Sequence, residues 1–248
     1  MVYSLIKNLP RGKSPGPSGW TAELLLPLLC STAAIQGITD LLSIILQGEV
    51  PPIAYDALRS SRLTLIPKPQ GGVRPIANSE IFNKMADRLL SPEVNEIARR
   101  RLHPTQLGVG VPAGTDKAVM ATRELLQQGF YIVKVVIKNA FNSIYRKTIF
   151  DTLAVDHHCS PLLRKVLWQY GTPSPLWVMH RGEIIHESRS QRGVQQGSVL
   201  SPFLFSIALE TVLDKMKLRG FPSIAYLDDT EFYLENDGDF KDLLQTLT

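Results

Sequence analysis

The sequence predicts an α+β fold, with strands and helices mixed but not in strict βαβ order. Three observations carry this. Apolar residues recur at helical spacing in several stretches. Short apolar runs bounded by glycine or proline mark strands between them. Several of those strands come as hairpins rather than one after each helix. Composition agrees: 44% hydrophobic and 20% charged residues in a chain of 248 is the ordinary globular mixture, which excludes wholesale disorder, collagen and coiled coil. That length suits one or two domains with a real core.

Taken in order, Met1 to Pro10 carries an apolar patch but no signal-peptide core or small-residue cleavage site, so no secretory signal is expected. Arg11 to Gly19 is a loop, because its glycines and prolines break both regular periods. The most apolar stretch, Leu24 to Leu46, is interrupted by Pro27, Gln36, Gly37 and Asp40, and predicts two packed helices rather than a membrane span. Leu41, Leu42, Ile45 and Leu46 keep helical spacing until Gly48 and Pro51-Pro52 stop the run. Arg62 to Pro67 and Val73 to Ile76 form a hairpin about Gly71-Gly72. Ser79 to Leu102 is helical, broken at Pro92.

In the second half, Tyr131 to Ile137 is an apolar run interrupted once, which suits a buried strand. Ser160-Pro161 opens a helix that Gly171 ends. Trp177 to Ile185 folds about Arg181-Gly182. Ser201-Pro202 opens another helix, with Phe203, Ile207 and Met216 on one side and Gly220 past its end. Ile224 to Leu227 and Phe232 to Leu234 are short strands joined through Asp228-Asp229-Thr230-Glu231.

Lysine plus arginine is 27 against 23 acids, a net charge of +4 that permits a nucleic-acid partner without demanding one. Cys30 and Cys159, the two cysteines, exclude a disulfide scaffold and a four-cysteine zinc site. The expected setting is an intracellular, reducing compartment, with the nucleus left open.

Among the motifs, Gly12-Lys13-Ser14 fails as a phosphate loop, because Lys7 stands where the first glycine is needed and no strand precedes it. His157-His158-Cys159 reads as a surface loop, since adjacent residues cannot all face one ion. Asp228-Asp229 is different. Turn acids are common, but two carboxylates at the tip of two hydrophobic strands are also how a protein offers hard oxygen ligands to Mg²⁺. A site for two such ions needs at least one more carboxylate from a neighbouring strand. In Gly193-Val-Gln-Gln-Gly197-Ser-Val-Leu-Ser-Pro202, the glycines leave backbone exposed beside a ligand and Gln196 can hydrogen-bond a base or sugar. A loop followed by a capped helix explains Ser201 onward but not Gln195-Gln196-Gly197. Lys68 and Arg74 sit either side of a glycine turn, where they could hold a triphosphate or simply form a solvated basic hairpin.

The order of these pieces, together with Lys13-Ser-Pro-Gly-Pro-Ser-Gly-Trp20, Gln106-Leu-Gly-Val-Gly110 and Lys138-Asn-Ala-Phe-Asn-Ser143, resembles a reverse transcriptase (RNA-directed DNA polymerase) domain of a non-LTR retrotransposon. The resemblance runs from Gly12 to Tyr233. It implies a right-hand polymerase fold with an antiparallel palm sheet. Residues 1–130 would form the fingers and 131–248 the palm, with part of the fingers intervening before Gln196 and the thumb absent. It further implies that Lys68 and Arg74 hold the incoming deoxynucleoside triphosphate, and that Gln196 and Gly197 line the pocket for the nascent base pair. Phe141 would abut the sugar and screen out a 2′-hydroxyl. Asp228 and Asp229 would be the catalytic metal ligands of a two-Mg²⁺ site, Asp228 the firmer. The implied partners are an RNA template and a DNA primer, with no membrane. The implied chemistry is in-line attack of a primer 3′-hydroxyl on the α-phosphate.

The pattern departs from the family at one decisive place. The family's first catalytic aspartate stands three residues before the asparagine of Asn139-Ala-Phe-Asn142, and here that position is Val136. No acid occurs from Gln127 to Phe150, so no register shift supplies one. Valine has no oxygen for a metal. The fold is expected to survive, because a β-branched residue suits a strand and the missing carboxylate removes repulsion with Asp228. The expectation is therefore a polymerase-like domain that is inactive as written. The alternative is a non-catalytic nucleic-acid-binding relic of a retrotransposon. The motif spacing, read through the family, places the Tyr131–Ile137 strand beside Ile224–Leu227.

Overall fold

The computed structural model describes residues 1–69 and 71–247; Gln70, in the glycine turn, and Thr248, the end of the expected palm, lie outside the described residues. The first stretch of chain contains α1 (Val2–Lys7), α2 (Ala22–Leu25), α3 (Thr32–Gln47) and α4 (Tyr55–Arg59). It continues through β1 (Ser61–Pro67), β2 (Val73–Ser79), α5 (Ile81–Arg101), α6 (Gly114–Gln127), β3 (Tyr131–Val136) and α7 (Ala140–Ser143). Then follow α8 (Arg146–Val155), α9 (Ser160–Tyr170), β4 (Ser174–His180), β5 (Glu183–Ser190) and α10 (Ser201–Leu218). The chain closes with β6 (Ser223–Tyr226), β7 (Asp229–Leu234) and α11 (Asp239–Leu247). Among the described residues no helix is long and apolar enough to cross a membrane.

The chain divides into two compact units, Met1–Ser91 with Tyr145–Ser201, and Pro92–Ile144 with Pro202–Thr248. Long-range pairing underlies this division: β1 recruits β4 from far along the chain, whereas α6 packs on β3 and β6.

The first unit holds a four-stranded sheet in the order β2-β1-β4-β5. β1 and β2 form the expected hairpin, paired from Ser61↔Ser79 to Pro67↔Val73. β4 and β5 form the second, turning through Arg181 and Gly182, both at positive φ. Its helical core gathers Ile6, Leu25, Leu42, Ile45, Met85 and Trp168. Ser31 caps α3 by accepting the Ala34 N–H at 3.2 Å. Gly48 ends that helix at φ 69°, where a Cβ would stand 2.6 Å from the Arg164 carbonyl oxygen.

One charge pair is sealed inside this unit. Lys165 of α9 and Asp87 of α5 are 0% and 1% exposed. The Lys165 ammonium donates to Asp87, to Gln169 and, at 3.0 Å, to Asn83 Oδ1. The other Asp87 oxygen accepts the Ser198 hydroxyl at 3.1 Å. Burial pushes the lysine below its ordinary range and the aspartate beside it opposes that shift.

The second unit holds a three-stranded antiparallel sheet in the order β3-β7-β6. Phe203, Leu204, Phe205, Ile207 and Ala208 of α10, with Ala225, Phe232 and Leu234 of the sheet, are buried.

Four expectations change. β3 is the partner of β7, and the strand from Ser223 to Tyr226 lies on the far side of β7. β3 is therefore an edge strand and not a buried one, with Tyr131 and Val136 exposed. β7 begins at Asp229, so the hairpin turn is Leu227-Asp228 alone. Helix α5 passes through Pro92 without breaking. The proline removes one N–H donor, a local loss in a helix of 21 residues, while the Ser91 hydroxyl donates to the Asp87 carbonyl at 3.1 Å.

The buried pair gives a stability test. Lys165→Met leaves the buried Asp87 without its cation, and should cost about 3–5 kcal/mol in denaturant unfolding. Adding Asp87→Leu should recover most of that loss, because the two ions no longer need to be desolvated.

Candidate nucleotidyl-transfer site

The tip of the β6–β7 hairpin carries the paired acids. Tyr226 pairs with Asp229, leaving Leu227 and Asp228 as the two central turn residues. Leu227 has φ 56°, the left-handed sign that matches a tight turn to strand twist, here adopted by a bulky side chain. Asp228 is half-buried and Asp229 exposed.

Directly across from Asp229 stands Val136, the last residue of β3. Paired residues of neighbouring strands share a face, so residue 136 points to the same side as Asp229. Val136 is 66% exposed, an apolar side chain open to water at a strand end. Two residues back on the same face, Lys134 places its ammonium 3.3 Å from Asp229 Oδ1. Both side chains are about half exposed, so the pair is worth about 1 kcal/mol at most. Thr122 of α6 donates to Glu231 Oε2 at 2.6 Å on that face.

Phe141 lies in α7, behind Asn139 at φ 52°. Its ring stacks on Phe205 with centroids 4.7 Å apart and planes 16° from parallel. This anchors the aromatic to the core helix α10.

Lys68, Arg74, Gln196 and Gly197 belong to the first unit. Lys68 and Arg74 are exposed on either side of the glycine turn, with Arg74 paired to Ile66. The Lys68 N–H donates to the Gly72 carbonyl at 3.0 Å, and the Gly71 N–H to the Lys68 carbonyl at 3.1 Å. The Gln196 loop docks on the same hairpin: the Ala77 N–H of β2 donates to the Gln196 carbonyl at 2.8 Å. Gly197 is needed there twice over. Its φ is 114°, and a Cβ would fall 2.9 Å from the Ala77 carbonyl oxygen and 3.3 Å from Ile76 Cγ2.

The loop is held from below by buried polar groups. Gln195 accepts the Ser61 hydroxyl at 3.0 Å and donates to the Ser174 hydroxyl at 3.2 Å. The Tyr170 hydroxyl accepts the Gln195 N–H at 3.4 Å, and burial pushes that phenol up. Arg146 donates to the Gly193 carbonyl at 2.8 Å, the Ser190 hydroxyl at 2.7 Å and the Tyr170 carbonyl at 3.1 Å. Burial lowers the Arg146 guanidinium. Sequence reasoning missed Arg146 and Tyr170 as supports. Nothing local marks them, because their partners lie 24 to 47 residues away.

The residues present do not fit a two-ion site. Asp228 and Asp229 are adjacent, but the strand facing them offers Val136 in place of an oxygen and Lys134 as a competing cation. Among the described residues no group of three His, Cys, Asp or Glu side chains is placed to hold a metal ion.

The family model described as "Reverse transcriptase (RNA-dependent DNA polymerase)" matches residues 66–248. The chain is 32% identical over 232 residues to the retrotransposable element SLACS 132 kDa protein of Trypanosoma brucei gambiense, covering 92% of this chain and 19% of that protein. It is 28% identical over 167 residues to the Pol polyprotein of a type-1 retrotransposable element R2 of Nasonia vitripennis, covering 63% of this chain and 16% of that protein. The chain thus spans less than a fifth of the length of these curated relatives. Among solved structures, apo telomerase of Candida tropicalis aligns with a TM-score of 0.56 at 14% identity, over 79% of this chain and 42% of that one. Telomerase of Candida albicans in complex with a fragment of telomeric RNA aligns with a TM-score of 0.55 at 13% identity, over 80% and 40%. Those two likenesses speak for the fold, the right-hand polymerase fold; the three-stranded sheet is antiparallel, and the four-stranded sheet joins two antiparallel hairpins through the parallel β1–β4 pair. The chain belongs to the reverse transcriptase family, as a domain of the non-LTR retrotransposon kind.

Gly197→Ala should strain the loop against β2 by about 1–3 kcal/mol. The expected result is a lower melting temperature and faster exchange of the Ala77 amide. An unchanged melt with a protected Ala77 amide would mean that the loop has room to spare.

Proposed function

We propose that this chain is a reverse transcriptase domain whose nucleotidyl-transfer centre lacks one carboxylate and is inactive as written. The observation that carries the reading is the pairing of Val136 with Asp229. In-line transfer to an α-phosphate needs charge neutralised at the attacking and leaving oxygens, and Mg²⁺ is the group that supplies this in the family. Here β3, the strand paired with Asp229, supplies no carboxylate, and no acid occurs between Gln127 and Phe150.

The other residues that the family pattern singles out keep suitable chemistry, each within its own unit. Lys68 and Arg74 are exposed cations suited to a triphosphate or a nucleic-acid backbone. Gln196 and Gly197 present polar backbone and an amide for a base pair. Phe141, fixed on Phe205, offers a flat apolar face to a sugar. The proposed partners are an RNA template, a DNA primer and deoxynucleoside triphosphates. The proposed setting is inside the cell, in keeping with Cys30 and Cys159 forming no disulfide. A binding module that keeps these contacts without catalysis is the second reading, and the same residue, Val136, favours it.

Primer extension on an RNA template with Mg²⁺ tests the proposal. The chain as written should give no extension above background. Val136→Asp should raise the rate by about 10² to 10³, the scale of one restored transition-state contact. Equal extension by both forms would overturn the role given to residue 136.

A further inference from the structure

The Leu227-Asp228 turn is strained, and it is held from outside its own hairpin. A non-glycine residue at positive φ costs about 1–3 kcal/mol and persists only where its surroundings fix it. Leu227, at φ 56°, is such a residue, and Gln106 does the fixing. Its side-chain Oε1 accepts the Leu227 N–H at 2.7 Å and the Gly108 N–H at 2.9 Å. Its Nε2 donates to the Leu227 carbonyl at 3.2 Å. One side-chain amide therefore pairs with both backbone polar groups of the strained residue, as a neighbouring strand would. Gln106 is 3% exposed, so water does not replace it easily.

The backbone around Gln106 is itself fastened to the hairpin. The Leu107 N–H donates to the Ala225 carbonyl at 2.8 Å, and the Ala225 N–H to the Thr105 carbonyl at 2.7 Å. Gln106 thus makes a parallel bridge to Ala225 at the open edge of β6. Gly108 lets the two segments meet: a Cβ there would stand 2.7 Å from the Leu227 nitrogen and 2.8 Å from Leu227 Cγ. Other side chains fail chemically. Leucine has neither donor nor acceptor, asparagine is one methylene short, and ionised glutamate lacks the donor for the Leu227 carbonyl.

We propose that Gln106 is a positioning residue for Asp228: its amide fixes the Leu227 backbone, and with it the direction in which the next residue presents its carboxylate. The link to catalysis rests on the reverse-transcriptase reading of the hairpin tip; the hold on the turn does not.

Amide hydrogen exchange by NMR on the whole chain, as written and with Gln106→Leu or Gln106→Glu, tests the hold. In Gln106→Leu the Leu227 and Gly108 amides should exchange about tenfold faster or more, the effect of one lost hydrogen bond. The Leu227 backbone coupling should leave the value for positive φ, while the Val133 and Phe232 amides stay protected. Gln106→Glu keeps the oxygen that accepts both amides and should preserve most of their protection. Unchanged Leu227 exchange in Gln106→Leu would overturn the proposal. So would equal loss across the whole sheet, or equal loss in the glutamate variant, since either marks a packing role.

A second arm adds Gln106→Leu to Val136→Asp. The rate of nucleotide addition should fall about tenfold or more, with KM for the triphosphate unchanged. An unchanged rate in a chain whose turn has loosened would also overturn the proposal. If Val136→Asp alone gives no extension, the functional reading fails, and the exchange arm still decides whether Gln106 holds the turn.

Discussion

The register of β3 against β7 is the constraint on which the site depends. Pairing runs without a break from Tyr131↔Leu234 to Val136↔Asp229. Its two faces differ sharply: Thr230, Phe232 and Leu234 are buried, while Asp229 is exposed. A slip of one residue would turn the buried set to water and the charged set inward, so the register is strongly specified. Residue 136 is therefore held opposite Asp229 whatever its identity. The valine does not disturb the sheet, and the sheet cannot recruit another residue in its place.

The same separation of scaffold from chemistry recurs elsewhere. In the first unit, the Gln196-Gly197 loop is tied down by groups that touch no proposed substrate. Arg146 holds Gly193, Tyr170 and two serines hold Gln195, and Asp87 holds Ser198. In the second unit, Gln106 holds Leu227. Each is a buried polar group satisfied by backbone or by another buried side chain, an arrangement that rigidifies a loop and is costly to break.

Much of this was legible in the sequence, and the failures have definite causes. Gly71-Gly72 and Arg181-Gly182 marked both hairpins of the first sheet, because turn chemistry is local. The acids at the tip, Gln196-Gly197 and the deviant Val136 were visible as motif positions. The burial of β3 was misjudged because an apolar run does not reveal which strand ends up at a sheet edge; that depends on β7 taking the centre. Pro92 suggested a break, yet the helix around it tolerates one missing bond. Nothing in the sequence marks Lys165 and Arg146 as buried cations, since the partners that bury them come from distant elements. Gln106 stood inside a recognised motif, but only the fold shows that its amide reaches Leu227, 121 residues away.

The most direct measurement is the number of divalent ions the hairpin tip can hold. Crystals of the chain as written and of Val136→Asp, soaked in Mn²⁺ and read by anomalous scattering, give that number. With valine at residue 136, no pair of divalent ions should bind beside Asp228 and Asp229. With Val136→Asp, two ions should bind about 3.5–4 Å apart. A pair of ions at that spacing on the chain with Val136 would overturn the role given to residue 136.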